Sequence, residues 1–215
     1  MPSITTQLPP VPPAEPLFRL SVQQYHAMIL VGVLTADDRV ELLEGMLLYK
    51  MPKNPPHRIA VAKLHRALQS LPLAGWSIQL QEPITLSDGE PEPDVAIIQG
   101  LPDDYPTAHP EPKNVPLVIE VADTTLGRDR GIKLSSYARA GIEVYWIVNL
   151  NERQMKFIHS LPRRTDRQYT NTGTLFTQPI PSRFRWVPSF SAESASPTFC
   201  RDHFFTITAD PLSSD

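Results

Sequence analysis

Cysteine is almost missing: Cys200 is the single one in 215 residues. That excludes an internal disulfide framework and a four-cysteine zinc site, and it predicts a cytoplasmic protein in reducing surroundings. Glycine is sparse, at nine residues, so a collagen-like repeat is excluded. No long hydrophobic run exists. The longest, Ala27 to Leu34, has eight residues, against the ~20 that span a bilayer. The first sixteen residues carry six prolines and no apolar core of a secretory signal. Neither sign of charge dominates: 20 Lys and Arg face 23 Asp and Glu, for a net charge of −3. The chain is therefore no basic nucleic-acid coat, and any contact with phosphate must come from a local patch. The six histidines form no His-x-x-x-His pair, which argues against a histidine-based metal hydrolase.

Proline, in contrast, is abundant. The 24 prolines are about 11% of the chain, roughly twice the usual share. With 41% hydrophobic residues there is material for a real core, so wholesale disorder is excluded. The length suits one domain with tails. We read residues 1–17 as a proline-rich extended arm, 18–190 as the domain and 191–215 as a C-terminal tail.

Ser21 and Gln24 form a capping-box pattern that opens a short helix over 22–31. Val40 to Met51 reads as a hairpin turning at Glu44-Gly45. Past Pro52, Pro55 and Pro56, a helix is predicted from His57 to Gln69, with Ile59, Leu64 and Leu68 on its apolar stripe. Strands follow at 76–80 and 94–98, then a loop over 100–116 holding five prolines. Leu117 to Val121 reads as a buried strand, and a helix over 129–140 ends at Gly141. Val144 to Val148 is another buried strand, with Gln154 to His159 beside it, and beyond Thr170 the pattern weakens. The order predicts an α/β or α+β domain around one mixed sheet.

Glu120 stands inside Leu-Val-Ile-Glu-Val. Alternation places Val118, Glu120 and Ala122 on one face of that strand. A carboxylate there needs a solvated face, an ionic partner, a proton or a metal. Asp94 opens the strand at 94–98, where an aspartate also closes turns. Two carboxylates on neighbouring strands make the oxygen-rich site that Mg²⁺ prefers. Lys133 lies in the first turns of the helix after Glu120. It reads either as a point charge for a phosphoryl oxygen or as an exposed lysine pairing with Asp129.

Together, Pro93-Asp94-Val95-Ala96, Val118-Ile119-Glu120-Val121, Asp129, Lys133, Tyr137-Ala138-Arg139-Ala140-Gly141-Ile142 and Tyr145-Trp146-Ile147-Val148 resemble the Uma-type restriction endonuclease family of bacteria, within the PD-(D/E)xK nuclease superfamily. Glu41-Leu42-Leu43-Glu44-Gly45 and His57 match its pattern too, and the resemblance covers roughly residues 18–185. It implies a restriction-endonuclease-like fold, a mixed central sheet flanked by helices. It implies Mg²⁺-dependent cleavage of phosphodiester bonds in DNA, with Mn²⁺ as a possible substitute ion. Asp94 and Glu120 would hold the metal, the main-chain carbonyl of Val121 would be a further ligand, and Lys133 would stand in for the motif's lysine. The superfamily pattern places that lysine two residues after the glutamate, where this chain has Ala122.

Of Glu41 and Glu44, which alternate across the hairpin strand, only one can face the site; Glu44, sharing the face of Leu42, is the expected one. His57, at a helix start, reads either as a substrate contact or as a structural cap, and the cap is the expected role. Candidate DNA contacts are Lys50, Lys53, Arg58, Lys63 and Arg66 around the second helix and Arg163, Arg164 and Arg167 in a later loop; ordinary solvated surface is the alternative. By analogy with enzymes of this fold, the protein pairs into a homodimer. The alternative to a nuclease is a catalytically silent nucleic-acid-binding or interaction protein on the same fold.

Overall fold

A computed structural model describes residues 16–159 and the strands at 174–179, 186–188 and 205–207. Most of the proline-rich arm, the arginines at 163, 164 and 167, and most of the C-terminal tail lie outside the described residues.

The first helix, α1 (Val22–Leu30), starts at the expected capping box: Gln24 N–H donates to Ser21 Oγ at 3.1 Å and Ser21 N–H to Gln24 Oε1 at 2.9 Å. Strands β1 (Val40–Leu43) and β2 (Met46–Tyr49) form the hairpin. Glu44 and Gly45 both take positive φ, +49° and +73°, as a tight two-residue turn requires. A side chain at Gly45 would also collide with Arg19, whose Cβ lies 2.6 Å from the place a Cβ would take.

Helix α2 (Pro55–Gln69) begins two residues before the sequence expectation, because Asn54 caps it and Pro55 and Pro56 fill its first two positions. Its buried stripe is Val61, Leu64, Ala67 and Leu68. Ile59, expected on that stripe, is 51% exposed. Five residues before Leu64 is about 140° away around a helix of 3.6 residues per turn, so it cannot share the face.

The main sheet has six strands in the order β3 (Trp76–Gln79), β4 (Val95–Gln99), β5 (Leu117–Ala122), β6 (Val144–Asn149), β7 (Gln154–His159) and β8 (Thr174–Pro179). Only β5 and β6 run parallel; the other neighbours are antiparallel. Parallel neighbours need a crossover. It is a helical stretch made of α3 (Leu126–Arg128), a π-helical segment (Asp129–Lys133) and α4 (Leu134–Ala140), closed at Gly141 with φ +81°. A small pair, β9 (Trp186–Pro188) and β10 (Phe205–Ile207), lies beyond the sheet in sequence. Strand β8, and β10 within the segment read as a tail, are regular structure that the sequence pattern did not reveal.

Both sheet faces are covered. On one, Val61, Leu64 and Leu68 of α2 pack on Val95, Ile97, Ile119, Val121 and Trp146. On the other, Tyr137 and Ala138 of α4 pack on Ala96, Ile98, Val118 and Tyr145. This is the mixed sheet flanked by helices that the sequence predicts. Strands β4 and β5 bury every residue but the last of β4, so a carboxylate on them leaves water.

Candidate active site

In the β4–β5 ladder Val95 is paired with Ile119. Continued by one position, that register sets Asp94 opposite Glu120 on the face shared with Val118 and Ala96. Glu120 is 3% exposed and Asp94 8%. Asp94 Oδ2 accepts from the Val121 N–H at 2.9 Å and lies 3.0 Å from His57 Nε2. Its Oδ1 has a longer bond from Gln81 Nε2, at 3.3 Å. Burial acts to raise the Asp94 pKa, but the hydrogen bond and charge of His57, the Val121 N–H and the charge of Lys133 outweigh it and hold Asp94 below the usual aspartate range.

Glu120 is held differently. Lys133 Nζ donates to its Oε1 at 2.8 Å, and Tyr137 Oη donates to the same oxygen at 2.8 Å. Burial pushes its pKa well up; Lys133 opposes the rise, and the charges of Asp129 and Asp94 add to it. Lys133 is buried too, which by itself favours the neutral amine. Glu120, Glu41 and Asp129 reverse that and keep it an ammonium. Tyr137, buried against Glu120, is raised well above the ordinary tyrosine value and stays a donor.

The π-helical segment carries Asp129 and Lys133, four residues apart and both buried. The Tyr145 hydroxyl pins its start by donating to the Asp129 carbonyl at 3.0 Å. Thr125 Oγ1 donates to Asp129 Oδ2 at 2.7 Å. Burial raises the Asp129 pKa, and the charges of Asp94 and Glu41 add to this. A wider turn of this kind often marks a functional site, because it re-aims side chains within a helix.

The fourth acid is Glu41, not Glu44. Glu41 is 3% exposed, its Oε2 lies 3.4 Å from Lys133 Nζ, and Arg128 and the Glu92 N–H also bind it. Glu44 sits in the hairpin turn and pairs with Arg139 at 2.9 Å, away from the pocket. The expected sharing of a face with Leu42 fails, because the chain turns at Glu44 and leaves the strand's alternation. The argument that singled out Glu120 applies equally to Glu41, a carboxylate between Val40 and Leu42. His57 also departs from expectation: besides its place in the first turn of α2, it lies in the pocket on Asp94.

These side chains line a cavity of about 80 Å³. That holds a few waters or a hydrated cation. Its walls carry six carboxylates (Glu41, Glu92, Asp94, Glu120, Asp123 and Asp129) against the cations Lys50, Lys53, Arg128 and Lys133. Among the described residues, no group of three or more His, Cys, Asp or Glu side chains stands assembled around one metal position. The Lys133 ammonium occupies the space between Glu120 and Glu41. The donor chemistry nevertheless fits a hard divalent cation: the facing groups are carboxylates, six of them against four cations.

The family described as "Uma2: Putative restriction endonuclease" matches residues 22–191. The chain belongs to the Uma2 family. A crystal structure of a "putative nuclease belonging to DUF820" from Anabaena variabilis ATCC 29413 has a TM-score of 0.54 to it at 14% identity, over 74% of this chain and 87% of that chain. No curated protein matches. The Uma2 fold is thus the nuclease-like fold that the sequence resemblance implies. Among the described residues of this Uma2 chain, no helix is long and apolar enough to cross a membrane.

Proposed function

We propose that this protein is a divalent-metal-dependent endonuclease of the PD-(D/E)xK kind that hydrolyses phosphodiester bonds in DNA, with Mg²⁺ as its ion and Mn²⁺ as a substitute. The observation that carries the reading is the convergence of Asp94 and Glu120 from adjacent strands with Lys133 2.8 Å from Glu120. Asp94, Glu120 and the main-chain carbonyl of Val121 would hold the ion. Bound there, it would polarise the scissile phosphate and lower the pKa of a coordinated water.

The protein's own groups divide the remaining work. The Val121 N–H and His57 fix Asp94 through Oδ2, which leaves Oδ1 the less engaged oxygen. Tyr137 holds Glu120 from behind. Lys133, kept charged by Glu120 and Glu41, stabilises negative charge developing on the phosphate oxygens. The sheet and helices bury this constellation, so its dipoles are set in advance of substrate. Lys53 stands exposed at the mouth and Arg58 in the adjoining groove along α2, where the DNA backbone would arrive. Two copies acting together would cut both strands.

The test is calorimetric titration of Mg²⁺ into wild type, Asp94→Ala and Glu120→Ala, with and without a short DNA duplex, followed by a cleavage assay. Binding and cleavage lost in both variants support the reading. DNA binding with no metal-dependent cleavage in wild type would replace it with a catalytically silent DNA-binding protein on this fold.

A further inference from the structure

A second groove, of about 570 Å³, adjoins the acidic cavity and shares Lys53, Asn54 and Gln81 with it. It runs along one face of α2, where Arg58, Ala62 and His65 follow at helical spacing, and Leu80 and Gln81 form its other wall. No carboxylate lines it. Among the described residues, neither Lys53 nor Arg58 has an ion-pair partner. The contrast with the neighbouring cavity is sharp: carboxylates line only the cavity, Arg58 lines only the groove, and Lys53 stands where the two meet. Arg128, on a different wall of the acidic cavity, is engaged by Glu41 and the Tyr49 carbonyl.

We infer that this α2 groove is the track for one sugar–phosphate strand of the DNA on a single side of the scissile phosphate. The inference rests on the nuclease reading and adds the strand's path. Phosphate must be held there by side chains, because the helix start offers no free main-chain donor in its first positions. Pro55 and Pro56 have no N–H, and the His57 N–H is given to Asn54 Oδ1 at 3.0 Å. Lys53 and Arg58 supply the charge nearest the cavity, and His65 a further polar contact. The small Ala62 leaves the groove open, and with Leu80 it forms an apolar floor suited to sugar faces. From Asn54 to His65 the helix advances about 16 Å. A strand of duplex DNA combines a 3.4 Å axial rise with its turn about the axis, which sets successive phosphates about 6.5 Å apart along the strand, so the groove accommodates about two or three.

The experiment is fluorescence anisotropy of a labelled 20-base-pair duplex with the full chain in EDTA, over a series of KCl concentrations. Lys53→Ala and Arg58→Ala should each lower the slope of log affinity against log salt by about 0.9. Ala62→Trp, an exposed site whose substitution leaves all charges in place, should weaken binding tenfold or more by filling the groove. Lys63→Ala and Arg66→Ala, which remove cations from α2 outside the groove, should leave the slope unchanged. Equal losses from both pairs, or an Ala62→Trp protein that binds as wild type, would overturn the groove while the nuclease reading stands. A wild type that binds no duplex even at low salt, in EDTA or with Mg²⁺ restored, would overturn both.

Discussion

Lys133 Nζ lies 2.8 Å from Glu120 Oε1 although thirteen residues separate them, and each side chain is almost fully buried. The ammonium reaches the glutamate from a π-helical turn rather than from the strand itself. The crossover between β5 and β6 thus returns a cation to a carboxylate of the strand it has just left. Such a pair costs several kcal/mol to desolvate, and its members are held by one another.

Breaking the pair from the cationic side should be the more damaging change. Lys133→Met leaves Glu120 and Glu41 buried without their shared cation, and a loss of about 3–5 kcal/mol is expected. Glu120→Gln leaves Lys133 with Glu41 and should cost clearly less. Urea denaturation at pH 7 in EDTA compares the two directly.

Cleavage tests the same carboxylate directly. Glu120→Gln should reduce metal-dependent cleavage by a factor of at least about 100, with an unchanged circular dichroism spectrum. Chelation with EDTA should reproduce that loss in wild type, and Mg²⁺ should raise the thermal midpoint of wild type but not of the variant.

The two hairpin glutamates should separate cleanly. Glu41→Gln removes an acid that touches Lys133 and Arg128, and cleavage should fall at least tenfold. Glu44→Gln disturbs only a partly exposed pair with Arg139 and should leave kcat unchanged, with a stability change below about 1 kcal/mol. A cleavage defect in Glu44→Gln that exceeds that of Glu41→Gln would remove Glu41 from the site.

Asp94 and Glu120 should give stability opposite pH slopes in the metal-free protein. The Asp94 pKa is lowered in the fold, so its contribution is present above the unfolded value near 3.8 and is lost as the pH falls through the folded value. The Glu120 pKa is raised, so its contribution is full below the unfolded value near 4.5 and is lost as the pH rises through the folded one. The stability gap between wild type and Asp94→Asn should therefore widen as pH rises from 3 to 5. The gap between wild type and Glu120→Gln should narrow from pH 4 to 8. Parallel profiles for the two variants would contradict these environments.

The readable parts of the sequence were those governed by local rules. The capping box at Ser21, the Glu44-Gly45 turn and the Gly141 helix stop depend on a few neighbouring residues, and all three are found. Strands β5 and β6 announced themselves as short apolar runs buried on both faces. Glu120 stood out because a carboxylate inside such a run contradicts its surroundings. Strand β8 gave no such signal, since an outer strand needs less apolar character than a central one.

The burial of Glu41 was readable in the same way, but its meeting with Lys133 and the place of His57 were not. Both depend on how separate elements dock. Leu42 bridges to Glu90, where the Glu90 N–H donates to the Leu42 carbonyl at 2.7 Å, and this contact hangs the hairpin over the end of β4. The start of α2 then brings His57 within 3.0 Å of an aspartate 37 residues away. By itself the sequence determined the strands and helices up to β7, the mixed sheet and the two central carboxylates, because periodicity and the cost of burying charge act on neighbours along the chain. Only the tertiary structure decided which other side chains meet those carboxylates, because that depends on register and docking between segments that no local pattern encodes.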